Sequence, residues 1–304
     1  MCSLFGVLDT QGVLSARQLN RILTVLSREC QVRGTDATGI AYNHGGRLRI
    51  YKRPLPADKL VFHVPGGTRV VMGHTRMATQ GKPQHNFNNH PWAAKSFALA
   101  HNGILWNDKE LRRSEHLPFT RIQTDSYVAV QLLEQEKALN LAAMQHMAEK
   151  VQGSFVFTVL GRDDSLYFVR GDNPLAIFCY NGFLLYASTN EILCAAEHKL
   201  HLRHHAELCI KEGDILRIDK TGQQSRGHFL PHHSLSHFWR QSCYEDWFDV
   251  EADVLLEAAH AMGVPHDDIQ LLLDCGFDTD EIEALLYDPY ALRELVCSLR
   301  CDLL

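Results

Sequence analysis

The grouping of strand-like and helix-like segments along the chain restricts the fold most strongly. Short apolar runs with strand character lie at 3–9, 40–42, 47–52, 70–73, 97–100, 154–160, 165–169, 175–180, 183–187, 207–210 and 214–219. Turn signals such as Asn181-Gly182 separate several of them, as in hairpins. Apolar residues recur with the spacing of a helix at about 14–30, 125–135, 139–151 and 190–198. Because the helices are grouped between blocks of hairpin-connected strands, the sequence predicts an α+β layered sandwich and not a doubly wound parallel sheet.

A change of composition near residue 240 predicts a domain boundary. Residues 245–304 contain 16 acidic and 2 basic residues, whereas the rest of the chain contains 20 acidic and 28 basic residues. The segment 221–244 is rich in Gly, Ser, Pro and His, which is typical of a linker, and helical spacing follows it at about 245–262, 266–275, 278–287 and 289–301. We therefore predict a large domain at 2–220, a linker at 221–244 and an acidic helical bundle at 245–304.

Cysteine usage and hydropathy predict a cytoplasmic protein. The nine cysteines are scattered and form no C-x-x-C pair, which favours reduced thiols over a disulfide framework or a zinc site. No apolar run reaches the ~18–20 residues that span a bilayer, and no secretion signal is evident. Eight of the eighteen histidines lie between 198 and 237, without the spacing of a known zinc pattern. We expect no metal, no cofactor, no nucleic-acid partner and no membrane partner.

Cys2 directly follows the initiator methionine in the segment Met1-Cys2-Ser3-Leu4-Phe5-Gly6-Val7. Removal of Met1 makes Cys2 the N-terminal residue, with a thiol and an α-amine whose reference pKa values are about 8.5 and about 8. The amine can then act as general base for the thiol, so that one residue supplies both nucleophile and base. The alternative is that Cys2 merely precedes an ordinary buried strand, and these seven residues alone do not decide between the two.

Three polar motifs follow predicted strands or open a predicted helix. They are Gly73-His74-Thr75-Arg76-Met77-Ala78-Thr79-Gln80-Gly81, His101-Asn102-Gly103-Ile104 and Thr124-Asp125-Ser126. Taken singly, each also has a structural explanation as a turn, a helix cap or an ion pair. Taken together, Arg76 offers a bidentate fork for a carboxylate, Asp125 a partner for an ammonium, and the N–H groups of Asn102 and Gly103 an oxyanion hole. This set matches an amino acid amide, most simply glutamine.

In these motifs the chain resembles the glutaminase domain of the class II, N-terminal nucleophile, glutamine amidotransferases, in particular that of the glucosamine–fructose-6-phosphate aminotransferases. The resemblance extends over about residues 2–220. It is also carried by Arg33-Gly34-Thr35-Asp36, Ala187-Ser188-Thr189-Asn190 and Glu212-Gly213-Asp214-Ile215, all in family order. The resemblance implies a four-layer αββα sandwich with two largely antiparallel sheets, followed here by a small all-helical segment.

The resemblance also implies catalytic roles. Cys2 would be the nucleophile, with its own α-amine as base and later as acid. Asn102 and Gly103 would hold the oxyanion.

Substrate-binding roles are implied in the same way. Arg76 would bind the α-carboxylate of glutamine and Asp125 its α-ammonium, with Thr79 lining the pocket, while Arg33 would help to fix the N-terminal residue. Met77 and Gln80 depart from the family pattern, in which Trp and His are usual at these positions, and this bears on lid closure and substrate selectivity.

We therefore predict hydrolysis of glutamine through a Cys2 thioester, with the ammonia passing to a separate acceptor enzyme. Two alternatives stay open, namely a non-catalytic glutamine-binding regulatory module and a hydrolase of another γ-glutamyl amide. The C-terminal helices are interpreted as a packing or homo-oligomerisation segment, or alternatively as a module that recruits a partner.

Overall fold

The computed structural model describes residues 2–231 and, towards the C-terminus, residues 255–256, 259–260, 262–275, 277 and 279–302. The chain divides into two compact units, Met1–His232 and His233–Leu304. None of the helices in these described ranges combines the length and the apolar character needed to span a bilayer.

The first unit contains strands and helices in the following order. Its first half comprises β1 (Ser3–Leu8), α1 (Ala16–Glu29), β2 (Ala37–His44), β3 (Arg47–Arg53), β4 (Val70–Arg76), β5 (Trp92–Ala93), β6 (Phe97–Leu105) and α2 (Asp108–Ser114). Its second half comprises α3 (Tyr127–Gln135), α4 (Leu141–Lys150), β7 (Gly153–Gly161), β8 (Leu166–Arg170), β9 (Ala176–Tyr180), β10 (Phe183–Ala187), α5 (Asn190–Leu200), β11 (Ala206–Glu207), β12 (Asp214–Ile218) and β13 (Gln224–His228).

The strands form two antiparallel sheets. One has the order β11-β9-β10-β1-β4-β2-β3, and the other has the order β13-β12-β8-β7-β6-β5. Strand β1 lies inside the first sheet, where Phe5 is opposite Ala187 of β10 on one side and Gly73 of β4 on the other. The chain segment that carries Cys2 is therefore held by two neighbouring strands.

The two sheets pack face to face through apolar side chains, and helices cover both outer faces, so the unit has four layers. Between the sheets, Leu4 and Met72 pack in one core with Val156 and Phe168. A second core lies between the first sheet and helices α1 and α5, and a third lies between the second sheet and helices α3 and α4. Because most strands are covered on both faces, their sequences read as continuous apolar runs, as in β1, where all six residues are buried. The predicted αββα sandwich is confirmed.

Helix α1 precedes the turn that carries Arg33. Ser15 and Gln18 form a capping box at its start. Its buried face, which includes Leu19, Leu23 and Leu26, packs on the first sheet. A 3-10 turn, Cys30–Val32, follows the helix and ends at Arg33.

The first unit extends beyond the predicted boundary at residue 220. Strand β13 pairs with β12, with Gly227 opposite Ile215, and the buried ring of Phe229 stacks on Phe155 with a centroid distance of 5.7 Å. Residues 221–231 therefore belong to the sandwich and are not the start of the predicted linker. The remainder of that linker, 232–244, lies outside the described residues.

The described residues of the second unit form helices and the short connections between them. Helices α6 (His266–Asp274), α7 (Thr279–Leu286) and α8 (Pro289–Asp302) correspond to the three helices predicted last. They surround an apolar core that includes Ile269, Leu272, Ile282, Leu286 and Val296. The predicted helix at 245–262 lies largely outside the described residues.

Candidate active site

Cys2 lies immediately before β1 and is partly exposed. Its Sγ donates a hydrogen bond to the carbonyl oxygen of Met77 at 3.3 Å. Burial raises the pKa of the Cys2 thiol; the positive charge of Arg76 opposes this rise, whereas the negative charge of Asp125 adds to it. In this arrangement the thiol form is favoured, so a nucleophilic step requires a base.

Arg33 anchors the backbone at the same point. Its Nε donates to the carbonyl oxygen of Cys2 at 3.0 Å. The next residue is Gly34, where a Cβ would lie 2.5 Å from the carbonyl carbon of Arg76, so only glycine permits this approach of the two chain segments. The backbone N–H of Asp36 then donates to the Arg76 carbonyl at 2.9 Å. The connection between α1 and β2 is thus tied to the end of β4.

Asn102 and Gly103 lie on β6, next to β7. Gly103 has φ +135°, and a Cβ at this position would lie 1.9 Å from the carbonyl oxygen of Ser154. The side chain of Asn102 donates from Nδ2 to Ser188 Oγ at 3.4 Å, and the same hydroxyl oxygen accepts from the backbone N–H of Leu4 at 2.9 Å. Ser188 therefore links the strand that follows Cys2 to the predicted oxyanion donor on the other sheet.

Arg76, the last residue of β4, is almost completely buried. Its Nη1 donates to Asn89 Oδ1 at 2.7 Å. Its Nη2 donates to the carbonyl oxygen of Gln80, to that of Gly81 at 3.0 Å and to Thr124 Oγ1 at 3.4 Å. These oxygen acceptors of the protein fix the plane of the guanidinium. In the described part of the chain, no carboxylate lies within salt-bridge distance of Arg76.

Asp125 is buried just before α3. Its Oδ2 accepts from the backbone N–H of Leu105 at 2.7 Å, and its Oδ1 accepts from Ser126 Oγ at 3.1 Å. Ser126 Oγ also lies 2.7 Å from Nδ1 of the buried His101. Burial raises the pKa of the Asp125 carboxyl, whereas these hydrogen bonds and the charge of Arg76 lower it.

Three of the predicted site residues lie close enough to affect one another's ionisation. The Cys2 thiol donates to the carbonyl of Met77, which follows Arg76, and Arg76 Nη2 donates to Thr124, which precedes Asp125. The charges of Arg76 and Asp125 both act on the Cys2 thiol. Thr79, by contrast, is exposed on the loop after β4. The structure thus brings together the predicted nucleophile, carboxylate-binding and ammonium-binding groups.

Three residues that support the arrangement of Cys2, Arg76 and Asp125 have no role in the predictions from sequence. Ser188 was part of a motif that carried the resemblance, but its bridging hydroxyl was not foreseen. Lys52 and Asn89 lie outside the quoted motifs, and the sequence alone does not indicate a role for either. The structure shows that Asn88, Asn89 and His90 are all buried, and buried polar groups require hydrogen-bond partners.

In the described ranges, no group of three or more His, Cys, Asp or Glu side chains is placed to hold a metal ion. The eight histidines between 198 and 237 include two, His232 and His233, that begin the undescribed segment.

The sequence was compared with protein families and with known proteins. Residues 74–195 match a family model described as a glutamine amidotransferase domain. The glutamine–fructose-6-phosphate aminotransferase of Agrobacterium fabrum is 30% identical over 266 residues, which cover 81% of this chain and 42% of that protein. The corresponding enzyme of Symbiobacterium thermophilum is 32% identical over 187 residues, which cover 58% of this chain and 30% of that protein. The chain thus spans less than half the length of these relatives.

Solved structures share the fold. The glutamine phosphoribosylpyrophosphate amidotransferase from B. subtilis superposes with a TM-score of 0.58 at 21% identity, over 74% of this chain and 49% of that chain. A structure described as the allosteric regulatory enzyme of purine biosynthesis superposes with a TM-score of 0.60 at 20% identity, over 74% and 48% of the two chains. The motifs, the fold and the relatives agree, and the chain therefore carries a class II glutamine amidotransferase domain, as its resemblance predicted.

Proposed function

We propose that this chain hydrolyses the γ-amide of glutamine through a thioester on Cys2, and thereby forms glutamate and ammonia. One observation carries the proposal. Cys2, Arg76 and Asp125 come from three separate parts of the chain, yet the Cys2 thiol donates to the carbonyl of Met77, the residue after Arg76, and Arg76 donates to Thr124, the residue before Asp125. A thiol with a buried cation and a buried carboxylate in its surroundings fits a substrate that carries an α-carboxylate, an α-ammonium and an amide to be attacked.

The covalent step begins with proton transfer. The α-amine of Cys2, free once Met1 has been removed, takes the thiol proton because the buried thiol does not ionise readily on its own. The sulfur then forms a bond to the γ-carbon, and the carbonyl electron pair moves to oxygen. Asn102 Nδ2 and the backbone N–H of Gly103 stabilise this oxyanion. The amine returns the proton to the leaving nitrogen, the C–N bond breaks and ammonia departs.

Water completes the cycle. The same amine accepts a proton from a water molecule, whose oxygen attacks the thioester carbon. The C–S bond breaks, the thiol of Cys2 is regenerated, and glutamate leaves. No external oxidant or reductant enters either half of the reaction.

The two charged side chains orient the substrate. Arg76 attracts the α-carboxylate through its positive charge, and its Nε is not among the atoms that donate to Asn89, Gln80, Gly81 and Thr124. Asp125 faces the α-ammonium, whose positive charge offsets the cost of keeping this carboxylate ionised in a buried position. Thr79 lies on the adjoining loop and contacts the substrate when that loop closes over it.

The ammonia passes, in this proposal, to an acceptor enzyme on a separate polypeptide. The described residues of the second unit are short helices around an apolar core. Assembly of this chain into a homo-oligomer through those helices is a further prediction, which light scattering of the purified protein tests.

An activity assay tests the proposal. Purified protein with an N-terminal Cys2 should release glutamate and ammonia from glutamine in equal amounts. Cys2→Ala should be inactive, and so should protein that retains an uncleaved residue before Cys2. Full glutaminase activity in either variant would exclude the N-terminal nucleophile mechanism.

Met77 supports a second candidate substrate. Its carbonyl accepts from the Cys2 thiol, while its apolar side chain is 44% exposed beside the predicted nucleophile. This favours a γ-glutamyl amide with an apolar group on the amide nitrogen. A comparison of kcat/KM for glutamine and γ-glutamyl methylamide decides between the two, because a hydrolase of substituted amides should prefer the latter.

A further inference from the structure

Lys52 is a partly buried lysine on β3. Its Nζ donates to the backbone carbonyl oxygens of Asn89 and, at 3.0 Å, of Pro91, and it lies 5.9 Å from the centre of the Trp92 ring. The Lys52 carbonyl in turn accepts from Asn86 Nδ2 at 3.0 Å. No carboxylate of the described residues lies within salt-bridge distance of this ammonium group.

Asn89 connects Lys52 to the guanidinium of the site. It is fully buried, and its Oδ1 accepts from Arg76 Nη1 at 2.7 Å. Its Nδ2 donates to the carbonyl oxygen of Pro83 at 2.7 Å and to Asn86 Oδ1 at 3.2 Å. Lys52 therefore holds the backbone of the residue whose side chain holds Arg76.

The charges in this network are unbalanced. Two cations, the partly buried Lys52 and the buried Arg76, share Asn89, and burial together with the repulsion by Arg76 lowers the pKa of Lys52 to about 7. Burying cations without an anionic partner is costly, and the cost falls when an anion binds beside them. The α-carboxylate of the proposed substrate is such an anion.

We propose that Lys52 is a positioning residue for the substrate α-carboxylate, because it holds Asn89 against Arg76 and adds its positive charge to the same site. The inference rests on the proposed function and specifies which residues behind Arg76 determine the affinity for the carboxylate. Lys52 does not touch the reacting amide, so its removal should affect KM and not kcat.

Steady-state kinetics of glutamine hydrolysis by the full chain tests this inference. Lys52→Met keeps the length of the side chain but removes its donors and its charge, and should raise KM for glutamine about tenfold while kcat stays within twofold. Lys52→Arg keeps the cation and should stay within threefold of the wild-type KM. Lys95→Met removes an exposed lysine on the turn between β5 and β6 and should change neither constant.

The pH profile gives a second readout that does not depend on the folding of Lys52→Met. In the wild type, KM should rise as the pH passes about 7 and Lys52 loses its proton, whereas in Lys52→Arg it should not rise with this transition. The other groups that face Lys52 are Arg76, which stays charged, and His74 and His90, whose pKa values burial lowers well below the usual range.

An unchanged KM in Lys52→Met would overturn the inference, and so would a fall in kcat at constant KM in the same variant. A profile of Lys52→Arg that matches the wild type would also do so. These results presuppose a wild-type protein that hydrolyses glutamine. If the wild type is inactive, it is the proposed function that fails.

Discussion

The side chain of Arg33 donates a hydrogen bond from Nε to the carbonyl oxygen of Cys2 at 3.0 Å. The peptide group that carries the predicted nucleophile is thereby fixed by a cation, while the next residues are fixed by strand pairing, with Ser3 opposite Thr75. The thiol and the α-amine of Cys2 must both be oriented for the amine to act as base. Arg33 is well placed to limit the rotation of this residue.

Loss of the Arg33 bond should slow catalysis. A hydrogen bond to a charged group contributes about 1.5–3 kcal/mol, so Arg33→Met should lower kcat by roughly 10- to 100-fold, with KM for glutamine largely unchanged. Arg28→Met, which alters an exposed arginine in the last turn of α1, is the matched control and should behave as the wild type. Equal kcat values for the two variants would exclude this role for Arg33.

The predicted oxyanion glycine should tolerate no side chain. In Gly103→Ala the new Cβ would meet the Ser154 carbonyl oxygen at 1.9 Å, in a backbone conformation that L-residues rarely adopt. We expect the free energy of unfolding to fall by about 2–4 kcal/mol and glutaminase activity to be lost. Gly227→Ala is the control, because its Cβ would have only ordinary contacts, the nearest at 3.6 Å. Urea unfolding of both variants checks this, and comparable stabilities would contradict it.

Asp125→Asn should separate binding from stability. Asn keeps an acceptor for the Leu105 N–H but loses the charge that the substrate ammonium requires. We expect KM for glutamine to rise roughly 30- to 100-fold, which corresponds to about 2–3 kcal/mol. Because burial raises the pKa of the carboxyl, removing the charge should leave the unfolding midpoint equal or higher. A variant that binds glutamine normally, or one that loses both binding and stability, would argue against this role.

Acid should destabilise the first unit. His74, His90 and His101 are buried without charge, and burial lowers the pKa of His101 to about 3. Because these folded-state pKa values lie below the unfolded value of about 6.5, the unfolded state binds more protons as the pH falls below 6.5. Each histidine then contributes a loss of up to about 1.4 kcal/mol per pH unit, and above pH 6.5 this loss disappears.

Urea midpoints between pH 7 and pH 5 check this dependence. His101→Gln should make the slope of stability against pH shallower, because one of the three protonation sites of the unfolded chain is gone. His63→Gln, at an exposed position, should leave the slope as it is. A stability that stays constant from pH 7 to pH 5 would contradict this prediction, because it would mean that these groups take up as many protons in the folded protein as in the unfolded chain.

Much of the fold and of the site could be predicted because the relevant signals are local. The continuous apolar runs reflect strands covered on both faces, and the polar motifs follow directly on two of those runs. Strand β13 gave no such signal, because it lies at the edge of its sheet and its residues alternate between exposed and half-buried. Its Gly- and Ser-containing sequence therefore resembles a linker.

The network behind Arg76 could not be predicted because it joins residues that are distant in sequence. Lys52 and Asn89 are 37 positions apart and meet only because the β2–β3 hairpin packs against the loop that precedes β5. Gly39 makes this packing possible, since a Cβ there would lie 2.3 Å from the carbonyl oxygen of His90. Neither the lysine nor the asparagine carries a sequence pattern that indicates such a contact.

The central claim is that Cys2, as the N-terminal residue, is the nucleophile of a glutaminase. Intact-mass analysis after incubation with a diazo-ketone analogue of glutamine tests it most directly. We predict a protein mass without Met1 and one stoichiometric adduct at Cys2, located by peptide mapping. Excess glutamine should suppress this adduct, and Cys2→Ala should not form it. An unlabelled Cys2 in protein that binds glutamine, or an adduct that persists in Cys2→Ala, would contradict it.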